Sequence, residues 1–283
     1  MTFKLALSAG HGKNTAGKRC LRSIDPNETR EWVLNSRIAE KVEKLLAGYD
    51  GVEVLRLDDR SGDTDVALKT RSKAANAWGA DLYLAIHHNA GIKGGKGGGI
   101  VAYVYTKPSK KSEQWQKALY DALIAKNGLK GNRANPLGKA NFHEVREPKM
   151  PAVLLELGFM DSTVDTPTIL TEEYADQCAK AIVETIAERE SLGEKTAGEK
   201  ATVTNRLDFA DSCDENKKGT YRVASSDGVL NLRSGAAADK PLIEAMPTGS
   251  TVRCYGYHTG EWLYVVSAKG NIGFCHGEYL IRE

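Results

Sequence analysis

Residues Leu82-Tyr83-Leu84-Ala85-Ile86 form an unbroken apolar run of strand length that stops abruptly at His87-His88-Asn89. A strand without a polar face is buried on both sides, as in a mostly parallel sheet covered by helices. In open α/β sheets of that kind, reactive groups gather where strands end at their carboxyl side. The run therefore reads as a strand that delivers His87 to the working edge of a sheet.

The neighbouring segments agree with that sheet. Phe3 to Ser8 alternates and then breaks at Ala9-Gly10-His11-Gly12, a strand followed by a glycine turn. Gly10-His11-Gly12 opens like a dinucleotide-binding G-x-G-x-x-G, but Thr15 stands where the third glycine belongs. Asp25-Pro26-Asn27-Glu28 has the composition of a helix start, with Asp25 as cap and Pro26 at the first helical position. The helix it predicts carries Leu34, Ile38, Val42 and Leu45 on one stripe, and Glu31 falls one turn earlier on that inward side. A second strand at 52–57, a helix at 66–78, strands at 82–88 and 100–105, a helix at 112–126, a strand at 151–159 and a helix at 171–189 complete the alternation. It predicts an α/β domain, a mostly parallel sheet flanked by helices. The glycine-rich stretch Gly94 to Gly99 is not a phosphate-binding loop, because Lys96 is followed by Gly97 rather than Ser or Thr.

Residues 191–206, rich in Glu, Lys, Gly and Thr, read as a linker between a domain at 1–190 and a second at 207–283. Beyond the linker, short strands split by glycine turns predict a small all-β, SH3-like barrel. Five cysteines without a C-x-x-C argue for reduced thiols rather than a disulfide framework or a zinc knuckle. A net charge of +2 calls for neither nucleic acid nor an anionic membrane. No segment approaches the ~20 apolar residues of a membrane span, and residues 1–8 are too short for a signal-peptide core.

Two imidazoles and a carboxylate, His11, Glu31 and His87, sit at a strand end, a helix start and another strand end. All three can converge on one sheet edge. Such a set suits a catalytic zinc ion, which keeps a fourth position for water. Bound water then ionises near pH ~7 while the metal polarises a carbonyl. Hydrolysis also needs a proton carrier, and Glu156 lies in the apolar run Val153-Leu154-Leu155-Glu156-Leu157. Apolar surroundings raise a carboxyl pKa toward the range a shuttle needs.

Four pieces occur in order: Ser8-Ala9-Gly10-His11-Gly12, Glu31-Trp32-Val33-Leu34-Asn35, Asp81 through Ala90, and Pro151 through Phe159. Over about residues 1–190 the chain thus resembles the zinc-dependent N-acetylmuramoyl-L-alanine amidases of the amidase-3 type, found in autolysins and phage endolysins. The resemblance implies His11, Glu31 and His87 as zinc ligands and Glu156 as the catalytic acid/base. It selects Glu31 over Glu28, four residues before Asn35, and His87 over His88, two residues before Asn89. His88 departs from the small residue usual there, and alternation points it away from the metal into packing. Asn89 and Arg146 match positions near the family's site and are expected to touch substrate, and His143 is a possible groove residue. Leu230-Asn231-Leu232-Arg233-Ser234-Gly235 and Trp262 resemble bacterial SH3-like domains that bind cell-wall polymers, with Phe274 where Trp is common. Tyr255, Trp262, Tyr264 and Phe274 are expected mostly to fill the barrel core.

The expected activity is cleavage of the amide between N-acetylmuramic acid and L-alanine in peptidoglycan. The protein would be made in the cytoplasm without a signal peptide and reach the wall after release, as endolysins do. The competing readings are a zinc peptidase cutting within the stem or cross-bridge peptide, and a wall-binding protein without catalysis.

Overall fold

A six-stranded sheet organises the first unit. In the computed structural model, which describes residues 2–195, 210 and 212–283, its elements run β1 (Phe3–Ala9), α1 (Glu31–Leu46), β2 (Val52–Arg56), α2 (Leu68–Trp78), β3 (Leu82–Asn89) and β4 (Ile100–Tyr105). They continue with α3 (Lys110–Asn127), β5 (Leu137–Ala140), α4 (His143–Arg146), β6 (Ala152–Phe159), α5 (Asp165–Ile169) and α6 (Glu172–Glu190). The sheet order is β2-β1-β3-β6-β4-β5. Every neighbouring pair is parallel except β4 with β6. The expected α/β sheet flanked by helices is present, with one reversal between β6 and β4.

Alternation along the central strands divides two apolar layers. Leu5, Leu7, Leu82, Leu84, Ile86, Leu155 and Leu157 are fully buried against Leu34, Ile38 and Val42 of α1, Leu119 and Leu123 of α3, and Ile182 and Ile186 of α6. Each such side chain contributes roughly 1.5–3 kcal/mol on leaving water. On the other face Ala6, Tyr83, Ala85 and Leu154 pack with Ala75 of α2 and Val145 of α4. Ser8, His87 and Glu156 share the parity of this second face, at the carboxyl ends of β1, β3 and β6.

The helix expected to start at Asp25 begins instead at Glu31, with Arg30 in extended conformation before it. Asp25 does cap, but it caps a turn. Its carboxylate accepts from the backbone N–H of Asn27 (3.1 Å) and Thr29 (2.7 Å), and Glu28 has φ +49°, which ends any helix there. The segment is held by backbone pairing across it: Cys20 N–H to Thr29 O, Glu31 N–H to Lys18 O, and a bridge between Arg19 and Arg30. Leu45 is 37% exposed and Leu46 takes the core position, so the inward stripe ends one residue later than the spacing suggests.

The chain separates into two compact units, Met1–Thr196 and Ala197–Glu283; most of the expected linker, 196–206, lies outside the described residues. The second unit holds β7 (Ser212–Cys213), β8 (Gly219–Val223), β9 (Val229–Arg233), β10 (Leu242–Pro247), β11 (Thr251–Thr259), β12 (Trp262–Ser267), β13 (Ile272–His276) and β14 (Leu280–Arg282). They pair antiparallel in the order β10-β9-β13-β12-β11-β8-β14, with β7 on β11. Its core includes Val223, Leu232, Met246, Val265 and Cys275. Of the aromatics expected inside, Phe274 is fully buried and Trp262 and Tyr264 are half-buried. Tyr255 is 49% exposed, because on β11 it falls between the inward Cys254 and Gly256. All five cysteines are free thiols. Among the described residues no helix is long and apolar enough to cross a membrane.

Candidate metal centre and active site

The carboxyl edge of the first sheet gathers His11, Glu31 and His87, whose ligand atoms all lie within 4.8 Å of one another. His11 Nε2 is 3.4 Å from Glu31 Oε2, and His87 Nδ1 is 3.1 Å from Glu31 Oε1. A tetrahedral zinc ion with bonds of ~2.0–2.2 Å separates its donors by roughly 3.3–3.5 Å, so the set has the right size. Glu31 Oε2 is buried and has no hydrogen-bond donor; its neighbours there are His11 and the Lys18 ammonium at 3.6 Å. A buried, unsatisfied carboxylate oxygen beside the His11 imidazole, on a carboxylate whose other oxygen meets His87, is what a divalent cation would complete.

Each donor is placed by a local device. His11 stands at φ +67°, a left-handed conformation that a non-glycine residue adopts at a cost of about 1–3 kcal/mol. The buried Arg71 guanidinium holds that turn, donating to Ala9 O (2.6 Å) and His11 O (3.2 Å). Gly10 has to be glycine for another reason, since a Cβ there would fall inside contact with the His87 ring, 2.5 Å from Nε2. Glu31, the first residue of α1, receives Asn35 Nδ2–H at 3.4 Å and the His88 backbone N–H at 3.2 Å, both on Oε1.

His88 points to the other face of the strand, as alternation requires. It is not mere packing: Asn35 Oδ1 lies 2.8 Å from His88 Nδ1, while Asn35 Nδ2–H donates to Gly10 O and Glu31. Burial lowers the His88 pKa to about 3, so the ring is neutral and Nδ1–H donates to Asn35.

The charges around the cluster are strongly coupled. Burial lowers the His11 pKa to about 4, with Glu31 opposing, so its lone pair is free at neutral pH. Burial alone would raise Glu31, but the hydrogen bond and charge of His87, with His11 and Lys18, hold it at about 2. Burial would likewise lower His87, yet hydrogen bonds to Glu144 and Glu31 and their charges raise it to about 10 in the metal-free protein.

Glu156 stands directly across from His87 in the parallel β3–β6 register, on the same face and one strand spacing away. Its Oε2 is buried without a partner. Burial raises its pKa to about 7; the His87 and Lys18 charges pull it down, and Glu31 and Glu144 push it up. A carboxyl group balanced between acid and base beside the donor cluster is equipped to move protons.

The other expected residues are placed differently. Asn89 ends β3, and its Oδ1 accepts from Ala90 N–H at 2.8 Å. Arg146 lies on the exposed side of α4 and binds Asn141 Oδ1 (2.9 Å) and Glu147, outside the donor cluster. His143 Nε2 is 3.1 Å from Ser72 Oγ. One residue of the site escaped the sequence reading. Glu144, 3% exposed, lies 2.9 Å from His87 Nε2. The available signal was indirect: Ser8 and Tyr83 are polar atoms on an inward strand face and require a partner.

Comparison with known proteins places the chain in a family. Residues 5–188 match the N-acetylmuramoyl-L-alanine amidase family model and residues 228–281 the bacterial SH3 domain model. The chain is 32% identical over 183 residues to the sporulation-specific N-acetylmuramoyl-L-alanine amidase of Bacillus subtilis, covering 62% of this chain and 64% of that protein. It is 33% identical over 197 residues to the endolysin of Bacillus phage SPP1, covering 68% of each. The crystal structure of an N-acetylmuramoyl-L-alanine amidase from Clostridium difficile 630 superposes with a TM-score of 0.60 at 27% identity, over 67% of this chain and 97% of that one. With a family model covering more than half its length, the chain belongs to the amidase-3 family of N-acetylmuramoyl-L-alanine amidases and carries a bacterial SH3 domain at its C-terminal end.

Proposed function

We propose that this protein is a zinc-dependent peptidoglycan amidase of endolysin type, cutting between N-acetylmuramic acid and the L-alanine of the stem peptide. The observation that carries the reading is the cluster of His11, Glu31 and His87, in which Glu31 Oε2 is buried and unsatisfied. In it, His11, Glu31 and His87 would hold zinc, which when bound polarises the scissile carbonyl and acidifies water. The remaining work falls to side chains. Glu156 takes a proton from the attacking water as hydroxyl adds to the lactyl carbonyl carbon. It then gives that proton to the alanine nitrogen as the C–N bond breaks, so water is divided between a free carboxyl and a free amine. A group poised near pH 7 can do both within one turnover.

Asn35 and the His88 backbone fix the Glu31 carboxylate, and Arg71 fixes the loop that presents His11. Asn89 and Arg146 are proposed as substrate contacts, Asn89 at the mouth of β3 and Arg146 by exchanging its Asn141 and Glu147 partners for substrate. The C-terminal barrel is proposed to hold the enzyme on the cell-wall polymer, following the domain match. The test is a digest of purified peptidoglycan with mass analysis. New N-terminal L-alanine, with loss of turbidity that a chelator stops, is expected. New amines inside the stem or cross-bridge would overturn the amidase reading in favour of a peptidase.

A further inference from the structure

Glu144 is a buried carboxylate in a layer made otherwise of Tyr83, Val145, Leu154 and their neighbours. An apolar residue of similar volume would fill that layer without the desolvation cost of a charge, so packing does not explain a glutamate. Its contacts do. Oε1 accepts from Ser8 Oγ–H at 2.6 Å and Tyr83 OH at 2.8 Å. Arg71 Nη1 donates to the same Ser8 Oγ at 2.8 Å. Oε2 is left for one partner, His87 Nε2 at 2.9 Å.

The two nitrogens of His87 are thus divided: Nδ1 faces Glu31 and Nε2 faces Glu144. A carboxylate can only accept, so in the metal-free protein both nitrogens carry a hydrogen; a cation arriving among His11, Glu31 and His87 displaces the one on Nδ1, while Nε2–H stays with Glu144.

We propose that Glu144 is a positioning residue for the metal centre, fixing the tautomer and aim of the His87 ring so that Nδ1 is presented to the ion shared with His11 and Glu31. The inference rests on the zinc reading given above and adds to it a chain of contacts from α2 through Arg71, Ser8 and Glu144 to the ligand. A carboxylate behind a ligating imidazole also strengthens it as a donor, and losing such a partner typically weakens a metal site ~10- to 100-fold.

The experiment measures zinc affinity of the full-length protein by competition with a chromogenic chelator. Wild type, Glu144→Gln, His87→Ala and the double variant are compared. Glu144→Gln keeps the shape and can still accept from Ser8 and Tyr83, and is expected to bind zinc ~10- to 100-fold more weakly. In the His87→Ala background the same change is expected to do nothing further, because the residue acts only through that ring. An unchanged affinity in Glu144→Gln, or an equal loss in both backgrounds, overturns the proposal, the latter by marking a general structural role. If Glu144→Gln does not fold, the double change Ser8→Ala with Tyr83→Phe removes two donors that hold the same carboxylate. It is then expected to weaken zinc severalfold, and unaltered binding overturns the proposal. Absence of stoichiometric zinc in wild type is a separate result, which fells the zinc reading itself.

Discussion

Replacing Gly10 by alanine isolates the steric requirement at the centre of the site. The backbone at Gly10 lies outside the left-handed region, so alanine is conformationally acceptable and its lower unfolded-state entropy would by itself stabilise by about 0.4–1 kcal/mol. The new Cβ, however, would stand within 2.5 Å of His87 Nε2, where ordinary contact begins at 3.4 Å. The ring must retreat by about 1 Å, and overpacking of that kind costs roughly 1–3 kcal/mol. The net loss is therefore about 1–2 kcal/mol. At ~2–4 °C per kcal/mol for a unit of this size, the metal-free protein should melt about 2–8 °C lower. The effect on metal should be larger, since donor positions matter to within ~0.2 Å, and at least a tenfold loss of zinc affinity is expected. Tryptophan fluorescence melting and chelator competition read the two effects. Gly193→Ala is the control, because a Cβ there meets nothing within 4 Å. A Gly10→Ala protein with wild-type melting and wild-type zinc affinity would refute the argument that His87 is held against that backbone.

Glu156→Gln should keep one zinc per chain while wall hydrolysis, followed by turbidity, falls ~100- to 10,000-fold; near-normal rates would remove Glu156 from the proton relay. Adding zinc at 100 times its Kd to metal-free protein should stabilise the first unit by about 2.7 kcal/mol, or roughly 5–11 °C, and no shift in melting would contradict a site built for the ion. In the metal-free protein Glu31 and Glu144 are held at about 2 and His87 is raised to about 10. Lowered carboxylates stabilise above their unfolded pKa of about 4.3, and that stability is lost as pH falls through 2; raised His87 stabilises below about 6.5, and that stability is lost as pH rises through 10. Against this, His11 and His88, lowered to about 4 and 3, stay neutral in the fold but charge in the unfolded chain below about 6.5, so they remove stability as pH falls from 6.5 toward 4. Glu156, raised to about 7, removes a smaller amount as pH rises from about 4.5 to 7. Metal-free melting temperature should therefore peak near pH 6.5, whereas a value still climbing from 6.5 to 9 would show that the His87–carboxylate contacts are absent in solution.

Much of the site was legible because its residues interrupt strong patterns. His87 and Glu156 break apolar runs that define β3 and β6, and Glu31 breaks the inward stripe of α1. Where the pattern is weak the reading failed. Asp25-Pro26 has the local chemistry of a helix start, yet backbone pairing between residues 18–20 and 29–31 turns that chemistry to a turn. β5 has only four residues without a run of large apolar side chains, and α4 is a single turn. Neither has a period to detect, so nothing in the sequence marked Glu144 as inward.

The amino-acid order by itself determined the alternating α/β domain, the all-β character of the C-terminal unit, and which side chains could serve as donors, because burial writes its period locally into the chain. Only the tertiary structure decided that β1, β3 and β6 lie side by side. That adjacency brings His11, Glu31, His87, Glu144 and Glu156 to one sheet edge from across some 145 residues of sequence. Their pKa values, the tautomer of His87 and the need for a cation at Glu31 arise from that convergence, since electrostatic coupling depends on distance in space and on exclusion of water, neither of which a linear pattern records.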